Sequence, residues 1–194
     1  MADYFVEGGD VLENKFGISD PIELRETEEF YFSEAASDII MNFNNAEIFD
    51  FDFLKELHKK LFGEVYAFAG KIRTVNITKT DSNIPFCFAD YIEAEADKIF
   101  VKLASKNYLR DFSLPEFSLE IAKLSAELNA LHPFREGNGR TIRFFLQLLA
   151  RKNGYILDYS LVSHEEIIAA DKEAFLGNFG SIEDLYKKVI SEIK

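Results

Sequence analysis

His132-Pro133-Phe134-Arg135-Glu136-Gly137-Asn138-Gly139-Arg140-Thr141-Ile142-Arg143 joins two strongly helical stretches, and the rest of the chain is read outward from it. His132 precedes Pro133, and a residue before proline is pushed away from helical geometry, so the upstream helix should end there. Gly137-Asn138-Gly139 then opens the next helix. A glycine-flanked helix N-terminus turns its first N–H groups outward and forms an anion site. Arg140 and Arg143 lie three positions apart on that helix and share a face. Glu136 sits at the mouth, where a carboxylate beside bound phosphate suits Mg²⁺. Arg135 reads as a solvated loop charge.

Upstream, Ser113-Leu-Pro-Glu116 is a capping-box pattern, and Phe117, Ile121, Leu124, Leu128 and Leu131 follow at helical spacing. Downstream, Ile142, Phe144, Phe145, Leu146, Leu148 and Leu149 cover most of one helix, which should be buried all round. Capping boxes at Ser163–Glu166 and Ser181–Asp184 predict two further helices, the last running over 181–193. Before the motif, a helix should start at Asp20-Pro21 and run to about Asn42. A second, capped by Asp50 or Asp52, places Leu54, Leu57, His58 and Leu61 on one face, with His58 a core histidine. A short turn of helix is expected between Gly63 and Gly70, and another helix over about 90–105. Arg73-Thr-Val-Asn-Ile-Thr78 alternates and is followed by Asp81-Ser-Asn turn chemistry and Ile84-Pro-Phe-Cys-Phe88. That predicts a β-hairpin over 71–88 whose second strand is weakened by Pro85. The expected fold class is all-α with one small hairpin, a single domain over 1–194 with its core from about 20 and an irregular extension over 1–19.

The chain has 194 residues, enough for one sizeable core, and a formal net charge of −12. Such a surplus repels nucleic acid and anionic membrane, so any phosphate site must be a local concentration of positive charge. One cysteine, Cys87, excludes an internal disulfide. No apolar run approaches the ~20 residues that span a bilayer, and the acidic first residues carry no secretory pattern, so a cytoplasmic protein is expected. Three dispersed histidines argue against a zinc site.

The motif resembles that of the Fic family, His-x-Phe-x-(Asp/Glu)-Gly-Asn-Gly-Arg-x-x-Arg, and meets every specified position. Val11-Leu-Glu-Asn-Lys15, Leu61-Phe-Gly63, Phe68-Ala-Gly-Lys-Ile-Arg73 and Asn129-x-x-His132 also resemble short Fic proteins, so the similarity covers most of the chain. The resemblance implies a helical bundle that transfers AMP from ATP to a Ser, Thr or Tyr hydroxyl of a target protein. It implies that His132 is the general base and that Phe134 anchors the loop. Glu136 would hold Mg²⁺. Gly137, Asn138 and Gly139 would bind phosphate oxygens, and Arg140 and Arg143 the β- and γ-phosphates. Residues Lys71, Arg73, Thr74, Val75, Asn76, Ile77 and Thr78 would form a flap that pairs with the target's main chain. Related Doc toxins carry Lys where this chain has Gly139 and transfer phosphate, so glycine favours AMP. Transfer of another nucleotide-derived group, and a binding module without turnover, are the alternatives.

The family is commonly restrained by a helix with the pattern (Ser/Thr)-x-x-x-Glu-(Gly/Asn), whose Glu pairs with the second arginine, here Arg143. Ser19 to Glu23 has the spacing but is followed by Leu24 and interrupted by Pro21. Ser37 to Met41-Asn42 has Met in place of Glu. The resemblance therefore points to a toxin whose brake is a small antitoxin on another chain, with a brake lost at Met41, or action through Glu23, as the alternatives. Topoisomerases are a target class by analogy with short Fic toxins.

Overall fold

The computed structural model describes residues 4–6, 11–43, 48–78 and 85–193. Among these, seven α-helices and one two-stranded sheet form two compact units, the first of residues 1–92 with 133–141, the second of 93–132 with 142–194.

In the first unit, α1 (Pro21–Met41) starts where Asp20 caps it, its side chain accepting from the N–H groups of Ile22 and Glu23. α1 packs along α2 (Phe51–Phe62), which Asp50 caps through Phe53 N–H. Leu54, Leu57, His58 and Leu61 are all at most 1% exposed, as their spacing predicts. The expected helix between Gly63 and Gly70 is instead a run of turns, in which Tyr66 N–H bonds Phe62 O at 2.8 Å and Lys71 N–H bonds Phe68 O at 3.0 Å. The hairpin over 71–88 is also reduced. Among the described residues it forms one bridge, Thr78 to Pro85, with Phe86 N–H donating to Ile77 O at 3.1 Å. Pro85 lacks the N–H that a longer ladder would use. The turn expected at Asp81-Ser-Asn lies outside the described residues.

In the second unit, α4 (Leu114–Leu131) packs on α6 (His164–Phe175) and α7 (Gly180–Val189), which also pack on each other; α3 (Ile92–Ser105) belongs here save for its first residue. Both capping boxes at the starts of α4 and α6 form, with Ser113 N–H donating to Glu116 and Ser163 N–H to Glu166. α5 (Asn138–Lys152) begins in the first unit and continues in the second from Ile142. Its Ile142, Phe144, Phe145, Leu146, Leu148 and Leu149 are at most 4% exposed.

The chain end departs from expectation. α7 starts before Ser181, whose hydroxyl bonds Glu173 instead of capping, and it stops at Val189. Residues Ile190–Glu192 form β2, antiparallel to β1 (Tyr155–Leu157), with Ile156 opposite Ser191. Strands of three residues are too short to show an alternation, so sequence periodicity could not separate β2 from the helix before it.

Asn129, in the last turn of α4, donates to Asp171 of α6 at 2.8 Å. Asn129→Ala should cost about 1.5–3 kcal/mol in urea unfolding at pH 7, the usual range for a hydrogen bond to a charged group. Asn129→Asp should cost more, because it sets two carboxylates together, and its excess penalty should shrink as the pH falls below ~4.

Candidate active site

α4 ends at His132, which adopts φ 46° and ψ 61° and keeps its N–H on Leu128 O at 3.0 Å. A left-handed cap at a non-glycine residue is unfavourable by ~1–2 kcal/mol and is held here by what surrounds it. The turn it makes delivers the chain to Pro133 and the loop of the first unit.

That loop is tied from within. Asn138 Nδ2 donates to Phe134 O, and Asn138 Oδ1 accepts from Phe134 N–H, both at 2.8 Å. Asn138 is 3% exposed and Phe134 fully buried. The resemblance assigns Asn138 to phosphate; its side chain is taken up by the loop, and its backbone N–H is its group without an intrahelical acceptor. The first intrahelical bond of α5 is Thr141 N–H to Gly137 O at 3.0 Å. The N–H groups of Asn138, Gly139 and Arg140 therefore lack intrahelical acceptors, as at any helix start. Gly137 has φ +75°, and a Cβ there would lie 2.6 Å from the Phe62 ring, so both its conformation and its packing require glycine.

Outside support comes from His58 on α2. Its Nδ1 accepts from Gly70 N–H at 2.8 Å, and its Nε2 bonds the Glu136 carbonyl at 2.9 Å. An accepting Nδ1 requires the proton on Nε2, so the ring is the neutral tautomer. It stacks on Phe134 with centroids 3.8 Å apart. Burial lowers its pKa to about 4 against the opposing pull of the Glu136 carbonyl, and Arg140 adds to the lowering. Sequence reading placed His58 in the core but missed its hold on the loop, because the partner is a backbone atom far along the chain.

Arg140 carries more than its sequence position shows. Its Nη2 lies 2.6 Å from Glu28 Oε2 and 3.6 Å from Glu136 Oε1, and its guanidinium sits 4.7 Å from the Phe62 ring centre. The expected positive surplus is thus offset on Arg140 by two carboxylates. Glu136 also accepts from Gly137 N–H at 2.8 Å, and its side chain is 41% exposed. Arg143 lies on α5 within the second unit, where its charge opposes the rise in pKa that burial imposes on Tyr159 and Tyr186, the latter raised to about 12. Tyr159 and Tyr186 share a hydrogen bond, and Tyr186 donates on to Ser125.

Around the expected flap, Lys71, Thr74, Asn76 and Thr78 are exposed and Val75 and Ile77 half-buried. Arg73 differs: it is 1% exposed, its Nη1 donates to Val75 O at 2.7 Å, its Nη2 donates to Cys87 O, and its N–H bonds Pro133 O. It braces both arms of the flap against the motif loop and presents no docking surface. Arg135, expected in solvent, packs over Phe5 and Tyr4, with 4.9 Å to the Phe5 ring centre. Tyr4 in turn bonds Thr74.

The His58 arrangement has a pH signature. Its folded pKa lies below the unfolded value of ~6.5, so the unfolded chain takes up the proton first. The stability it contributes is complete above pH ~6.5 and is lost as the pH falls toward 4. Going from pH 7 to 5 should cost the native chain on the order of 2 kcal/mol through this group. His58→Leu, less stable at pH 7, should show a smaller loss over that interval when urea midpoints are compared.

The comparisons with known proteins come to the same segment. The Fic/DOC family profile matches residues 48–150. "Protein adenylyltransferase VbhT" of Bartonella schoenbuchensis is 40% identical over 184 residues, 94% of this chain, and this chain spans 37% of that relative's length. "Probable protein adenylyltransferase y4lH" of Sinorhizobium fredii is 35% identical over 184 residues, covering 94% of this chain and 93% of the relative. The crystal structure of the BepC protein, a VirB-translocated effector of Bartonella tribocorum with bound AMPPNP, superposes with a TM-score of 0.91 at 27% identity, covering 98% of this chain and 97% of that one. With its motif complete and the profile spanning the loop and most of the helices around it, the chain belongs to the Fic/DOC family.

Proposed function

We propose that this chain is a protein adenylyltransferase: it moves AMP from ATP to a Ser, Thr or Tyr hydroxyl of a target protein, as one Fic domain over 1–194. The observation that carries this reading is the loop of 133–138, held by Asn138 and His58, which fixes the direction of the first N–H groups of α5, free of intrahelical acceptors as at any helix start. Preorganised donors of this kind act on charge without reorganising during reaction. The names of the relatives and the AMPPNP bound in BepC support the choice of nucleotide and reaction.

In this mechanism His132 takes the proton of the target hydroxyl. The oxygen attacks the α-phosphorus, an O–P bond forms, and the bond from the α-phosphorus to the bridging oxygen breaks. Pyrophosphate leaves with that electron pair. The backbone N–H groups of Asn138 and Gly139 bind phosphate oxygens, and Arg140 and Arg143 bind the β- and γ-phosphates. Glycine at position 139, where Doc toxins carry lysine and transfer phosphate, supports AMP as the transferred group. The exposed residues Thr74, Asn76 and Thr78 hold the target segment.

Mg²⁺ fits the site in a limited way. Among the described residues no group of three or more His, Cys, Asp or Glu side chains could hold a metal. Mg²⁺ needs few protein ligands when phosphates and waters supply the rest, and Glu136 is the carboxylate placed to provide one. When bound, the ion would offset the negative charge of the phosphates.

The restraint is proposed to act from outside the chain, through an antitoxin helix whose Glu reaches Arg143. Its support is the lack of a complete (Ser/Thr)-x-x-x-Glu-(Gly/Asn) pattern in the sequence. Among the described residues no helix is long and apolar enough to cross a membrane.

The test is labelling of cell lysate with ATP carrying 32P at the α-position and with Mg²⁺. The expected result is a labelled protein band with the native chain, reduced by ~10²–10⁴ in rate for His132→Ala. Label from the γ-position instead would mean phosphate transfer. Tight ATP binding with neither label, in protein freed of co-purifying chains, would overturn the enzyme reading.

A further inference from the structure

We infer that Glu28 is the positioning residue for Arg140, holding it ready for the distal phosphates; this rests on the nucleotide reading just given. α1 is unusual in what it buries. Among its described residues only Leu24 and Glu28 are buried. A carboxylate without partners would not stay at 7% exposure. Glu28 has one partner for each oxygen: Tyr66 O–H on Oε1 and Arg140 Nη2 on Oε2 at 2.6 Å. Tyr66 is itself 2% exposed, and its pKa is raised by burial and by the bond to Glu28, so it remains a donor.

The result is a guanidinium held on one edge by Glu28 and on one face by the Phe62 ring, 4.7 Å away. A long arginine side chain loses much rotamer freedom on binding a ligand, and prior immobilisation removes that cost. The contact uses a single nitrogen. Nε and Nη1 donate to no other described residue, and the side chain is 25% exposed. Two donor groups of the planar fork remain for phosphate oxygens.

The same pair could be read as a brake, since a carboxylate on arginine competes with phosphate. The geometry favours positioning. A brake must be displaced, yet Glu28 is buried and fixed from behind by Tyr66. It also lacks the following Gly or Asn of the inhibitory pattern, being followed by Glu29. A phosphate can join Arg140 without removing Glu28.

The experiment is equilibrium binding of Mg-ATP and of AMP to the native chain, Glu28→Gln, Tyr66→Phe, Arg140→Ala and the Glu28→Gln/Arg140→Ala double variant, with thermal melts alongside. Glu28→Gln should weaken Mg-ATP by about tenfold, the scale of one charge-assisted contact, and change AMP by less than about twofold. Tyr66→Phe should give a smaller loss with the same ATP selectivity. In the double variant, Glu28→Gln should add nothing to Arg140→Ala, since both act through one group. Equal losses for ATP and AMP, additivity in the double variant, or tighter Mg-ATP binding would each overturn the proposal, the last by making Glu28 a brake. Should Arg140→Ala leave Mg-ATP affinity unchanged, the phosphate role of Arg140 falls first and this inference with it. That outcome differs from the others because Arg140→Ala itself is then silent.

Discussion

The two hydrogen bonds between the Asn138 side chain and the Phe134 backbone are the constraint on which the rest of the site depends. They close a short loop whose two ends lie on different helices, and they satisfy a buried N–H and C=O that would otherwise be costly. A loop with Gly137 at φ +75° has many alternatives in isolation. With Phe134 buried and its backbone held by Asn138, one conformation remains. The start of α5 then points its unbonded N–H groups in a fixed direction. An anion site built this way needs no rearrangement when the anion arrives.

A layer of buried polar residues supports that loop from the first unit. His58 grips the Glu136 carbonyl, Arg73 N–H takes the Pro133 carbonyl, and Glu28 takes Arg140. Each is expensive to bury, and each is offset by a defined partner. Apolar side chains at these positions could fill the volume but would not select a loop conformation, because dispersion and burial are nearly indifferent to direction. Neutral His58 is the example: its two ring nitrogens serve opposite roles, acceptor to Gly70 and donor to Glu136, so they register α2 with two separate stretches of backbone. Arg73 does the same for the two arms of the segment over 71–88, which among the described residues share one bridge.

The acidic composition acquires a local meaning from this arrangement. With a net charge of −12, the expectation is a pocket kept positive against its surroundings. Instead, Glu28 and Glu136 lie beside Arg140, so part of its charge is already balanced. An unbalanced buried guanidinium would be unstable, and a fully paired one would have little attraction left for phosphate. One nitrogen committed and two uncommitted is the intermediate case. In the second unit, the charge of Arg143 opposes part of the rise in pKa that burial imposes on Tyr159 and Tyr186.

The sequence by itself determined the helices with strong caps and periodicity and the segment that carries the chemistry. Asp20, Asp50, Ser113 and Ser163 all start helices where their side chains suit a cap, and the apolar positions of α2, α4 and α5 are buried as their spacing requires. Such features are local: a cap acts over three residues and a periodic face over a few turns. The identity of the loop residues was equally legible, because glycine, asparagine and proline constrain the backbone wherever they stand. Only the tertiary structure decided the partners. That α7 yields to β2 depends on Tyr155–Leu157, more than thirty residues earlier in the chain, offering an antiparallel partner. That Glu28, on a helix with almost no buried face, belongs to the site depends on Arg140 lying beside it. That Arg73 is a brace and not a docking residue depends on carbonyls at Val75, Cys87 and Pro133. Backbone carbonyls carry no residue identity, and a buried ion pair leaves no spacing pattern, so these contacts exist only once the chain has brought distant atoms within hydrogen-bond reach.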